Sequence, residues 1–131
     1  MKYMLMMSGT KAEFEGFAEW PKEDLKKHVA FMRDFAKELR DAGAFVAAEG
    51  LAFPHEAKIV RAEKDRTPIT DGVFPESKEF LAGYWIVDVA DEEEAIRIAA
   101  RASAAPGSGG TVGSIPIEVR QVMDEAPEEW Q

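Results

Sequence analysis

The chain has no cysteine, only two histidines and no long apolar run. Without a thiol it has no disulfide framework, no thiolate nucleophile and no thiolate metal site. Basic residues are also scarce, with 16 Lys and Arg against 25 Asp and Glu, for a net charge of −9. Contact with phosphate needs clustered Lys and Arg, so this balance argues against nucleic acid and anionic membranes as partners. The opening Met1-Lys2-Tyr3-Met4-Leu5-Met6-Met7 is too short for a signal peptide. Nothing approaches the roughly 18 apolar residues of a membrane span. The expectation is a soluble, cytoplasmic protein.

What is present suits one globular domain. The 131 residues are 46% hydrophobic and include 8 Phe and 3 Trp, enough for a real core. The domain is expected to span 1–131, with an aromatic segment at 8–20 and an acidic tail at 124–131 as peripheral parts. No internal repeat or composition break divides it.

Lys2 to Met7 reads as a first strand, with Tyr3, Leu5 and Met7 on one face and Met4 and Met6 on the other. Both faces are apolar, as in a strand covered on both sides. Phe14, Phe17 and Trp20 recur at three-residue spacing, which fits a short helical turn. That segment is either a cleft wall or a surface loop pinned by its rings. Pro21 to Ala42 is the long helix, with Leu25, His28, Val29, Met32, Phe35, Ala36 and Leu39 in one stripe and Gly43 as its stop. Ala44 to Leu51 reads as a second strand, and Ala57–Ala62 with Thr67–Thr70 as a small hairpin. A turn over Thr70–Glu79 leads into the strand Phe80–Val89. There Leu81, Gly83, Trp85, Val87 and Val89 should share one face, and Phe80, Ala82, Tyr84, Ile86 and Asp88 the other. Asp91 can cap a second helix to Ala104, with Glu94 at capping-box spacing. A Gly/Ser-rich stretch at 106–113, expected to be flexible, precedes a last strand around Ile117 and Val119. It lacks the Gly-Lys-Ser/Thr of a phosphate loop.

Strand, helix, strand, strand, helix, strand is the order of a ferredoxin-like βαββαβ unit of the α+β class, one antiparallel sheet with two helices on one face. Since the first and third strands are apolar on both sides, the other sheet face needs cover. A second copy of the chain is the simplest cover, so a homodimer with sheets face to face is expected.

One motif carries a family likeness. Asp71-Gly72-Val73-Phe74 resembles the DGPF signature of YCII-related proteins, with Val73 where the family usually has Pro. Glu49-Gly50-Leu51, Glu76, Lys78-Glu79, Gly83-Tyr84-Trp85-Ile86-Val87 and Ile117-Glu118-Val119-Arg120 fit the same pattern in the same order. The likeness covers most of the chain and implies a dimeric α+β barrel built from ferredoxin-like units. A related branch includes a dehalogenating enzyme acting on chlorinated hydroxyquinols. Some members carry a helical His paired with an Asp, which by resemblance would be His28 with Asp71 or Asp88.

His28 is also the sharpest candidate from residue chemistry alone, since imidazole serves as a general acid or base near neutral pH. The plainer reading is a stripe-edge His satisfied by one hydrogen bond. Glu49, Asp71, Glu76, Lys78 and Tyr84 form the polar group the resemblance implies. They either ring a ligand cleft or act structurally, as a turn cap, a surface ion pair and a packed ring. His55 lacks nearby ligands at metal spacing, so no metal and no cofactor are expected. The expectation is a small polar or aromatic ligand in a cleft of the homodimer. The alternative is a non-catalytic regulatory or interaction module.

Overall fold

The computed structural model describes residues 1–72 and 79–131. Its elements are β1 (Lys2–Gly9), α1 (Lys11–Ala18), α2 (Lys22–Asp41), β2 (Phe45–Gly50), β3 (Ile59–Ala62), β4 (Pro68–Asp71), β5 (Phe80–Asp88), α3 (Glu92–Ser103) and β6 (Ile117–Gln121). The main sheet has the order β2-β5-β1-β6 with every pairing antiparallel, and β3 and β4 form a separate hairpin. This is the ferredoxin-like α+β arrangement. The turn expected at Thr70–Glu79, and with it Glu76 and Lys78, falls largely outside the described residues.

Local chemistry explains where the helices begin and end. Thr10 Oγ1 accepts from the Glu13 amide, and Glu13 accepts from the Thr10 amide, a reciprocal capping box that starts α1. Asp91 accepts from the Glu94 amide at the start of α3. α2 stops where Gly43 takes φ +74°, a conformation only glycine adopts without strain. In the β3–β4 turn the Thr67 amide donates to Asp65 at 3.0 Å and holds that carboxyl below its ordinary range.

One sheet face is dry. Tyr3, Leu5 and Met7 of β1 alternate with Trp85 and Val87 of β5 against Phe35 and Leu39 of α2 and Ala95, Ile98, Ala99 and Ala102 of α3. The Phe35 ring meets Trp85 edge to face at 5.6 Å. The expected helix stripe holds for His28, Met32, Phe35 and Leu39 but not for Val29, which is 60% exposed. At 3.6 residues per turn Val29 lies about 100° round from His28, at the edge of the buried arc.

The face assignment in β5 holds from Gly83 to Val87 and fails before it. Met7 pairs with Gly83 but Ser8 pairs with Leu81, so Ala82 is the extra residue of a bulge. The slip inverts the expected alternation: Leu81 is 37% exposed, Ala82 packs on the core and the Phe80 ring meets Phe14. The opposite sheet face carries Met4 and Met6 beside Ile86 and Tyr84, all half-buried.

Candidate functional site

A cavity of about 790 Å³ lies where α1, the N-terminal half of α2 and the loop after α3 meet the sheet, a size ordinary for small-molecule sites. Its floor includes Met7, Ala48, Gly83 and Trp85, and its walls include Phe14, Phe17, Trp20, Phe53, Met32 and Ile115. The three-residue spacing of Phe14, Phe17 and Trp20 places them together with Phe53. Phe14 and Phe53 meet edge to face at 5.7 Å, Phe17 and Phe53 at 6.3 Å, and Phe17 packs on Trp20 at 4.8 Å. Within the 8–20 segment Ser8 and Gly9 finish β1, and α1 with Trp20 after it forms a wall of the cavity.

His28 borders the cavity from α2 and, among the described residues, is the one buried side chain classed as polar or charged, 9% exposed. The rings of Phe17 and Trp20 make T-shaped contacts with its ring, with centroids 5.5 and 5.8 Å away. Its Nδ1 lies 3.1 Å from the Pro106 carbonyl oxygen. A carbonyl can only accept, so Nδ1 carries the hydrogen, and in the neutral ring Nε2 holds the lone pair. Nε2 has no partner among the described residues. No buried side-chain nitrogen or oxygen there lacks a partner either, so Nε2 is not fully enclosed, in a residue that borders the cavity. Long-range ¹H–¹⁵N spectra recorded with the His28 ring neutral are expected to show it as the Nδ1–H tautomer. An Nε2–H pattern would contradict the contact with Pro106.

That carbonyl sits at the start of the Gly/Ser-rich stretch, which proves to be folded rather than a loose connection. The Gly107 amide donates to Thr111, Gly110 to Gly107 and Gly113 to Ala105, and Pro106 bridges Val112. The Gly109 amide donates to Asp24 of α2 at 2.9 Å. A methyl at Gly113 would lie 2.9 Å from the Ala105 carbonyl oxygen, so glycine is what lets the loop close. α2 is thus tied to this loop by the His28 ring and the Asp24 carboxylate.

The remaining expected site residues fall into three groups. Glu49 and Tyr84, paired across β2 and β5, both border the cavity. Asp71 and Asp88 do not border it. Asp71 lies 3.5 Å from Arg61 within the hairpin, and Asp88 accepts from the Met1 amino group at 3.0 Å. Within the chain His28 therefore has the Pro106 carbonyl, not either carboxylate, as its ring partner. Glu76 and Lys78 lie outside the described residues. His55 is exposed on a short turn, and no group of three metal-binding side chains occurs among the described residues. No described helix is long and apolar enough to cross a membrane.

Sequence reasoning missed Phe53 and the Pro106 carbonyl. Phe53 left a faint signal, a large ring in a connecting segment just after Leu51. The carbonyl left none, because every residue has one.

A ferredoxin-like α+β domain with an aromatic-walled cavity at one end of its sheet is the class this architecture defines. The YCII-related domain family model matches residues 1–121, and the chain belongs to that family. No curated protein matches the chain.

Proposed function

We propose that the protein binds a small, largely apolar or aromatic molecule in this cavity and works as a homodimer. The observation that carries the reading is the position of His28 at the border of a ring-lined cavity, with one ring nitrogen committed to a backbone carbonyl and the other unpartnered among the described residues and not fully enclosed. Packing supplies affinity, and Nε2 supplies one directional acceptor that fixes the ligand's orientation. Proton transfer to Nε2 is the acid-base step open to this arrangement. Glu49 and Tyr84, whose side chains share the sheet face away from the helices, belong to the dimer contact, and Asp71 and Asp88 are assigned no step.

The dimer rests on the second sheet face. Met4, Met6, Tyr84 and Ile86 form its half-buried centre, flanked in register by Glu118, Arg120 and Glu49, and the packed helices lie on the other side. A copy of the same face is the occupant that suits a self-pairing, two-fold contact.

Two measurements test the reading. Titration with 2-phenylethanol, followed by the ring signals of His28 and the indole of Trp20, is expected to give saturable shifts at both. Shifts at neither residue would end the binding proposal. Sedimentation is expected to show a dimer that Ile86→Asp converts to monomer, since a charge there would be buried without a partner. A wild-type monomer at micromolar concentration would refute the dimer.

A further inference from the structure

Resting on the proposed ligand cavity, we infer that it takes an elongated alcohol, with the hydroxyl at His28 and the hydrocarbon body laid along α2, and that Ala36 and Ala48 set the accepted length. α2 borders the cavity through His28, Met32 and Ala36. Residues at this spacing share one helix face and stack turn upon turn. At about 1.5 Å per residue, His28 and Ala36 lie roughly 12 Å apart along the helix axis. A ligand of one ring covers only part of that length.

The sheet opposite this helix face is bare. Trp85 belongs to the helix-facing core and pairs with Ala48, which packs on the same core. Two residues further, Gly50 pairs with Gly83, and the period of two puts both on that same face. Ala48, Gly50 and Gly83 therefore offer a methyl and two hydrogens where larger side chains would fill the gap to α2. A methyl at Gly50 would meet nothing within 4 Å. Ala36 is equally small on the helix side. The 790 Å³ cavity is the space these residues leave. Its two ends differ in chemistry. At one, His28 lies with its Nδ1 on the Pro106 carbonyl, and Nε2 can accept from a hydroxyl. At the other, Ala36 follows Phe35, whose ring meets Trp85, and the neighbouring lining is Met32 and Ala48. A hydroxyl suits the first end and CH₂ groups the second.

The test is a series of straight-chain 1-alkanols, butanol to dodecanol, titrated into the full chain at neutral pH beside 2-phenylethanol. An extended chain covers about 1.2 Å per bond. Affinity is therefore expected to climb about two- to fourfold per added CH₂ up to roughly nonanol, then to level off. The His28 ring signal should shift with every member, the Trp85 indole signal only with the longer ones. Ala36→Leu should bring the levelling about two or three carbons earlier while butanol binds as before, which also shows that the variant is folded. Ala48→Val, a substitution that suits a strand, should act in the same direction. Affinity that never levels, a break that neither variant moves, or a Trp85 shift as large with butanol as with decanol would overturn the inference and leave the cavity reading intact. So would 2-phenylethanol binding without any alkanol. Binding by neither would overturn both.

Discussion

Leu5→Ala is expected to destabilise the protein by about 2–5 kcal/mol, the largest effect of any single truncation proposed here. Leu5 is 0% exposed in the central strand β1, opposite Trp85 on one side and Val119 on the other. Both neighbouring strands are held to β1 by backbone hydrogen bonds, and the helices cover the same face, so the space left by the deletion cannot readily close. Hence both the transfer loss and the void contribute. Urea unfolding at fixed protein concentration should show a lower midpoint with an unchanged slope. Leu81→Ala is the control: its side chain is displaced outward by the bulge at Ala82, and about 1 kcal/mol or less is expected. Equal losses at the two positions would contradict the register of β1 against β5.

Gly83→Ala is expected to cost about 1–3 kcal/mol and to weaken binding of 2-phenylethanol. A Cβ at this position would sit 2.9 Å from the Glu49 carbonyl oxygen, closer than such atoms approach, and the obstacle is backbone, not a side chain that can swing aside. β2 must then shift away from β5 at the point where Glu49, Gly50 and Gly83 border the cavity. Stability and binding should therefore fall together. Gly50→Ala separates local crowding from loss of glycine as such, because a methyl there meets nothing within 4 Å. A Gly83→Ala protein with wild-type stability and wild-type binding would show that the two strands are not so closely apposed.

Much of the architecture was readable from the chain because it rests on short-range periodicity. Alternation made β1 and β5 two-faced apolar strands, helical spacing made α2 and α3 amphipathic, and their order limits the topology to a few arrangements. His28 stood out because it breaks an apolar stripe, and the Phe14, Phe17 and Trp20 spacing already placed three rings on one side of a turn. The exposure of Leu81 was not readable. A bulge depends on how two strands pair, and one extra residue reverses the alternation before it.

Element order, most of the apolar faces, the acidic balance and the lack of thiol chemistry were legible in the residues themselves. Each follows from residue type and local spacing. Tertiary structure alone decided that His28 answers to the Pro106 carbonyl 78 residues away, that Phe53 joins the rings of α1, and that Asp71 and Asp88 lie elsewhere. The physical reason is that a backbone carbonyl is chemically the same at every position. Which one a side chain meets is settled by how the loop closes, and glycine at 113 allows this loop to close tightly against its own backbone.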